Sequence, residues 1–216
     1  MERSTDHQSH QSETTCRLLV EFLEVAISSI VFLKRVYPPG AFERSHYMNV
    51  VVHRARHPQL RDYIHSAIYG LHPFIQKGLV ERVAVIFFNK EHIPAERFIF
   101  KLSLNQLYGS KVESNDLEFS LRSFLVKLSL AEPLTKALPP NCRWEITAYF
   151  RSLPSGSSKE AQLWIPTDTK HWQQPPLITP IKSMSSEPLS VQLYLEHPSL
   201  SEPTAPAGKR ERIHQV

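Results

Sequence analysis

Glycine is scarce in this chain of 216 residues. The six glycines fall well below the ~7% of an average protein, and no two of them are close together. Loops that bind phosphate groups need clustered glycines, because only glycine lets backbone N–H groups approach a phosphate closely. The sequence therefore contains no recognisable nucleotide-binding loop.

Cysteine and an excess of one charge are scarce too. The two cysteines, Cys16 in an apolar run and Cys142 beside a predicted strand, cannot build a Cys-rich zinc site, and no disulfide framework is expected. The sequence therefore favours a reducing compartment, the cytosol or the nucleus. A net charge of +4, from 25 Lys and Arg against 21 Asp and Glu, does not predict a nucleic-acid binder, which concentrates basic residues on one face.

Motifs for catalysis and metal binding are missing as well. No His-Glu-x-x-His or Gly-x-Ser-x-Gly pattern occurs among the 11 histidines and the serines. His65 and His72 lie two turns apart on a predicted helix, but no acidic residue has a spacing that completes a site. The sequence thus predicts a binding module without enzymatic activity, cofactor or metal.

Long hydrophobic runs are lacking. The longest, residues 18–33, is interrupted by Glu21 and Glu24 and is too short to span a bilayer, so no membrane partner is expected. Residues 1–13 are polar and lack the apolar core of a signal peptide, and residues 198–216 are rich in proline, serine and charge. We expect both ends to be disordered tails.

Apolar periodicity predicts three helices and five strands. The first helix is apolar on nearly every side and is expected at the centre of the fold. The helices are predicted at residues 15–36, at 58–77 with a kink at Pro73, and at 115–128; the strands are predicted at 80–88, 96–104, 143–150, 177–184 and 189–195. This order predicts an α+β fold in which three helices back an antiparallel sheet.

The part of the chain after the strand at 143–150 differs from what precedes it. That strand alternates cleanly and places Trp144 in the core. Residues 152–197 are rich in loops, and their two short strands, interrupted by proline, suit sheet edges. This segment is expected to rearrange easily. Trp164 and Trp172 lie within it and either anchor the loop or contact a ligand.

Several strings of residues resemble a known family. They are EFLEVA at 21–26, VYPPGAF at 36–42, HPQL at 57–60, KEHIPAERF at 90–98, LRSF at 121–124, PIKSM at 180–184 and QLYLE at 192–196. Together they cover about 15–196 and are similar to the HORMA domains that serve as accessory subunits of DNA polymerase zeta. The resemblance implies a HORMA domain over residues 14–197, with residues 152–197 as a mobile C-terminal safety belt.

The resemblance also implies a function. A HORMA safety belt wraps over an extended partner peptide, which adds a strand to the sheet, and then rejoins the sheet on the far side. The expected peptide is a Pro-rich segment of the catalytic subunit of polymerase zeta or of a DNA-end-protection factor. The closed belt is expected to present a surface to the C-terminal domain of the scaffold polymerase of translesion synthesis, so that this non-catalytic adaptor acts in DNA damage tolerance in the nucleus.

Residues carried over from the family fall into three groups. Tyr63 and Trp164 match the aromatic pair that flanks the trapped peptide, although core packing is the alternative for Tyr63 on an amphipathic helix. Gln192 and Tyr194 match the patch that receives the scaffold polymerase, and being two apart on a strand they face the same way.

The third member of that patch is either Ile178 or Leu177, because the stretch before Pro180 is one residue longer than the family pattern. Arg122 matches an arginine at the family's HORMA–HORMA dimer interface, with a solvated helix-face arginine as the alternative. A different function stays open: a cell-cycle regulator that binds activators of the anaphase-promoting complex, because the same belt can trap a different peptide.

Overall fold

The computed structural model describes residues 2–104, 114–152, 164, 165, 167, 175–186 and 189–198. Trp172, most of the chain between residues 153 and 174, and the predicted tail after Pro198 lie outside the described residues. Within the described part, both cysteines are free thiols, with Cys16 buried and Cys142 half-buried. None of the described helices combines the length and the hydropathy needed to cross a lipid bilayer.

The described residues form an α+β fold, as predicted. The helices are α1 (Glu2–Leu33), α2 (Pro58–Tyr69), α3 (His72–Gln76) and α4 (Ser114–Ser129). The strands are β1 (Phe42–Tyr47), β2 (Val50–Ala55), β3 (Val80–Phe88), β4 (Pro94–Leu104), β5 (Arg143–Phe150), β6 (Leu177–Ser185) and β7 (Leu189–His197). The last five strands make one antiparallel sheet in the order β5-β3-β4-β7-β6, and β1 and β2 form a separate hairpin.

Helix α1 lies at the centre of the core, as its apolar residues predict. Phe22 is fully buried and its ring meets Phe100 of β4 at 6.1 Å and Phe124 of α4 at 5.8 Å, both edge to face. One side chain of the helix therefore packs against both the sheet and α4. It begins at Glu2, whereas the sequence predicts a disordered tail over residues 1–13. No glycine or proline occurs before Pro38, so no helix-breaking residue separates residues 2–13 from the rest of the helix.

Two further elements differ from the prediction. The second predicted helix breaks at Gly70 into α2 and α3 instead of kinking at Pro73. The β1–β2 hairpin was not predicted at all. Its strands are joined by Met48 and Asn49, which have φ values of 49° and 56°. A two-residue turn in which both φ values are positive matches the twist of the paired strands. Methionine, however, is not one of the residue types from which such a turn is predicted.

The last three strands differ from one another in their place in the sheet. In β5, Trp144, Ile146, Ala148 and Phe150 pack against the main core, as their alternation predicts. Strand β6 lies at the sheet edge as expected of a strand that contains proline, and its pairing shifts register after Pro180. Strand β7 instead lies inside the sheet, between β4 and β6, because its alternate side chains are all apolar and buried.

A buried ion pair joins the end of α1 to β4. Lys34 Nζ donates a hydrogen bond to Glu96 Oε2 at 2.5 Å and another to the carbonyl oxygen of Lys136 at 2.5 Å. Glu96 Oε1 accepts from the backbone N–H of Lys136 at 2.7 Å. Together these three hydrogen bonds link three separate parts of the chain: the residue that follows α1, strand β4, and the segment that leads into β5.

Replacing Glu96 by alanine should strongly destabilise the fold, because it leaves a buried ammonium without its counter-charge. We expect a loss of about 3–5 kcal/mol in the free energy of unfolding, measured by chemical denaturation. Glu132→Ala is the control, since Glu132 pairs with Arg35 at 2.6 Å but both side chains are exposed. That variant should lose less than about 1 kcal/mol. Equal losses in the two variants would contradict the structural role of the buried pair.

Candidate functional site

The strand order sends the chain from one edge of the sheet to the other. Strand β5 forms one edge, and β6, the next strand among the described residues, forms the opposite edge. Residues 151–176 must therefore connect the two edges, which are about 19 Å apart at ~4.8 Å per strand. This strand order fits the expectation that the belt segment rejoins the sheet on its far side.

Strand β5 offers a sheet edge that no other described strand pairs with. At the middle of this edge the backbone N–H of Ile146 donates a hydrogen bond to Tyr63 Oη at 3.1 Å. Tyr63 belongs to α2, so the helix runs beside the edge of the sheet. The space between α2 and β5 is a groove bounded by a helix on one side and by backbone hydrogen-bonding groups on the other.

Aromatic rings fix Tyr63 in this groove. Its ring meets Trp144 of β5 edge to face, with 5.3 Å between the ring centroids. Trp144 Nε1 in turn donates a hydrogen bond to Tyr37 Oη at 3.1 Å. The hydroxyl of Tyr63 stays protonated at neutral pH, because burial raises its pKa above the usual value and this outweighs the Ile146 N–H, which lowers it.

A cavity of about 450 Å³ opens at the Trp144 end of the groove. Its apolar wall consists of Tyr37, Pro38, Leu60, Tyr63 and Trp144, and its polar groups are contributed by His57 and Gln59. A concave site of this size with aromatic walls and few polar groups is typical of a binding site for apolar groups. Proline rings or aliphatic side chains fit this chemistry best, since they need no hydrogen-bond partner.

Trp164, the other predicted member of the aromatic pair, packs against the core near the end of α2. Its Nε1 comes within 3.6 Å of the position that a β-carbon at Gly70 would occupy. Gly70 follows Tyr63 by seven residues, nearly two helical turns, and so lies on the same side of the helix about 10 Å away. The structure thus brings Tyr63 and Trp164 to one side of α2, the side that faces the edge of β5.

The predicted patch on β6 and β7 lies on the outer face of the sheet. Gln192 is exposed, and Tyr194 packs against a small apolar cluster of that face that includes Ile99. Tyr194 also accepts a hydrogen bond from Arg82; burial raises the pKa of its phenol, and Arg82 opposes that shift. The hydroxyl is therefore neutral and already oriented by a partner within the sheet.

The register between β6 and β7 places the two candidates for the third position on different faces of the sheet. Ile178 pairs with Glu196, which alternation places on the same face as Gln192 and Tyr194. Leu177 pairs with His197 and therefore faces the other way. Ile178 is 61% exposed, so the structure groups Ile178, and not Leu177, with the patch.

Arg122 lies half-buried on α4 within a stripe of apolar residues. Phe119 precedes it by three residues and Val126 follows it by four, which places all three on one side of the helix. Phe119 is 72% exposed, and Leu130 continues the stripe beyond the helix end. Contiguous exposed apolar surface on a soluble protein indicates an interaction site. The sequence predicted the buried stripe of α4 but did not single out Phe119.

Two contributors to the groove were missed from the sequence. Trp144 was interpreted only as a core residue, although one side of it lines the cavity, and Tyr37 was not singled out. The run Tyr37-Pro38-Pro39, four residues after the end of α1, is the signal that could have drawn attention to an aromatic turn. Within the described ranges, no three His, Cys, Asp or Glu side chains come together in a group that could hold a metal ion.

Comparisons with known proteins give the geometry a family context. The HORMA domain family profile matches residues 16–163. The chain is 65% identical over 204 residues to the DNA polymerase zeta processivity subunit of Arabidopsis thaliana, with 94% of each chain covered. It is 34% identical over 188 residues to the human mitotic spindle assembly checkpoint protein MAD2B, with 83% of this chain and 89% of the human one covered.

Solved structures are similar in fold. A chain in the crystal structure of the mitotic checkpoint complex superposes with a TM-score of 0.74 at 15% identity, covering 86% of this chain and 99% of that one. The Caenorhabditis elegans protein HTP-2 bound to a HIM-3 closure motif superposes with a TM-score of 0.68 at 8% identity, covering 86% of this chain and 91% of that one. At these identities the likeness concerns the fold alone.

Proposed function

The chain belongs to the HORMA family, and from this premise we propose that it is a non-catalytic accessory subunit of DNA polymerase zeta. In this proposal it holds a Pro-rich peptide of the catalytic subunit in the groove between α2 and β5, and it connects that subunit to the scaffold polymerase of translesion synthesis. The name of the Arabidopsis relative supports the polymerase. The single observation that carries peptide binding is the edge of β5 facing Tyr63.

A peptide in extended conformation suits this groove for two reasons. Its backbone can bond to the edge of β5, as in other cases where a strand is added to a sheet. Proline residues have no N–H to leave unsatisfied and can place their rings against the aromatic wall of the cavity at Tyr37, Tyr63 and Trp144. Together these features favour a peptide that is part strand and part proline-rich.

Trapping follows from the connection between the two sheet edges. Residues 151–176 follow β5 in the chain and carry Trp164, whose Nε1 lies beside Gly70 at the end of α2. We propose that this segment closes over the bound peptide. Release then requires the segment to open locally, so trapping slows dissociation much more than it speeds association.

Bridging requires that two partners bind at the same time. The patch of Ile178, Gln192 and Tyr194 lies on the outer face of β6 and β7. Strand β7 is three strands away from β5, about 14 Å at ~4.8 Å per strand, and the groove lies at the sheet edge beside α2. We propose that a domain on this face leaves the groove at the sheet edge accessible, and we assign the patch to the scaffold polymerase.

The proposal extends to assembly and location. The stripe around Arg122 on α4 is proposed to bind a second HORMA domain, as the exposed Phe119 favours. The nucleus is the proposed location, because that is where the polymerase copies DNA. A cell-cycle role through activators of the anaphase-promoting complex would use the same groove with a different peptide, and the peptide test below distinguishes the two.

Loss of either groove aromatic should release the peptide. On an array of peptides that tiles the organism's polymerase zeta catalytic subunit, Tyr63→Ala and Trp164→Ala should each weaken binding of the Pro-rich tile about 30-fold, the cost of truncating a central aromatic. Tyr69→Ala is the matched control, because Tyr69 belongs to the same helix but stacks on His65 at 5.5 Å and does not line the cavity.

The same array decides against the proposal if Tyr69→Ala weakens binding as much as the groove variants do. Binding only to tiles from activators of the anaphase-promoting complex, spotted beside the others, would replace the polymerase role by the cell-cycle role.

The outer-face patch should depend on one of two neighbouring residues. Ile178→Ala should weaken binding of the scaffold polymerase's C-terminal domain about tenfold or more, measured by calorimetry with the peptide already bound, because it removes an apolar contact from the patch. Leu177→Ala should leave the dissociation constant within about twofold, since Leu177 faces the other way. The reverse result would show that another face of β6 binds this domain.

A further inference from the structure

Tyr63 reaches the edge of β5 with its hydroxyl as well as its ring. Neighbouring strands lie about 4.8 Å apart and bond through N–H groups to oxygens at about 2.9 Å. Tyr63 Oη accepts from Ile146 N at 3.1 Å, so the phenol oxygen stands where the carbonyl oxygen of an added strand would stand. One position of the edge is thus already occupied by the chain's own side chain.

The alternation of the strand defines which other positions face the groove. In an antiparallel pair, a residue directs its N–H and C=O to one side and its neighbours direct theirs to the other. Because Ile146 N points away from β3 to Tyr63, Trp144 and Ala148 share that orientation. The Trp144 end opens into the aromatic cavity, whereas the Ala148 end continues along α2 toward Trp164.

We propose that the Tyr63 hydroxyl is an internal stop that fixes the register of the trapped peptide. The partner strand pairs with β5 on the Ala148 side and ends at Ile146, where its backbone leaves the sheet and its proline enters the cavity. Proline suits this point, because it has no N–H to contribute to a ladder that ends there. The inference rests on the proposed function and specifies how that peptide is aligned.

The stop is held in place before any peptide binds. The ring of Tyr63 lies edge to face against Trp144, and Trp144 is fixed by its own hydrogen bond to Tyr37. Both aromatic contacts persist if only the hydroxyl of Tyr63 is removed. Tyr63→Phe therefore removes the stop and keeps the aromatic wall of the groove. Tyr63→Ala removes both the hydroxyl and the ring.

Amide hydrogen exchange of the full chain, followed by NMR, tests the stop. The probe is the tightest dodecapeptide selected on the wild-type protein from a phage-displayed random library. In the free wild-type protein, the Ile146 amide should exchange slowly, and in Tyr63→Phe it should exchange about fivefold faster, because one neutral hydrogen bond is lost. The probe should slow exchange at Ala148 in both proteins, but slow Ile146 only in Tyr63→Phe, where the strand can extend.

Tyr37→Phe is the matched control. It also removes a hydroxyl from the cavity wall, but this hydroxyl bonds to the Trp144 side chain and not to the backbone of β5. It should change Ile146 exchange by less than about twofold, because the Tyr63 hydroxyl and its hydrogen bond to Ile146 remain. If the probe changes Ile146 exchange in the wild type, or if Tyr63→Phe exchanges like the wild type, the stop is overturned while peptide trapping stands. If neither a dodecapeptide nor an array tile binds, the proposed function fails and this inference fails with it.

Discussion

The unpaired backbone groups at the two edges of the sheet decide where another strand can add, because each free N–H and C=O is a potential partner for a second chain. The chain treats its two edges differently. Strand β6 contains Pro180, which removes one donor and accompanies a register shift that disturbs the outer strand. Strand β5 contains no proline and presents its backbone beside α2, where the N–H of Ile146 bonds to the Tyr63 side chain. The β6 edge is thus poorly suited to pairing with another strand, whereas the β5 edge is well suited to it.

Much of the fold could be predicted from the sequence, because local patterns determine it. For β3 and β5, the runs of β-branched and aromatic residues bounded by turns predicted the same first and last residues that the structure has. The β1–β2 hairpin was not predicted, because its turn places Met48 in the left-handed region and a methionine side chain does not indicate that backbone conformation. The choice of Ile178 over Leu177 needed the pairing of β6 with β7, and pairing between strands is not visible in either strand alone.

The candidate site was predictable only in part. Tyr63 and Trp164 came from the family resemblance, since periodicity on α2 would have placed Tyr63 in the core. Tyr37 and Trp144 are 107 positions apart, and no local pattern connects them, yet their hydrogen bond forms one wall of the cavity. Sites built from such long-range contacts depend on how α1, α2 and β5 pack, which only the folded chain reveals.

The buried charges at Lys34 and Glu96 limit how this sequence can change during evolution. Losing either one alone leaves an uncompensated charge in the interior, whereas replacing both by apolar residues of similar volume can be neutral. Any lineage that abandons the pair must pass through an unstable intermediate or change both positions together. Positions 34 and 96, which are 62 residues apart in the chain, should therefore covary among related proteins.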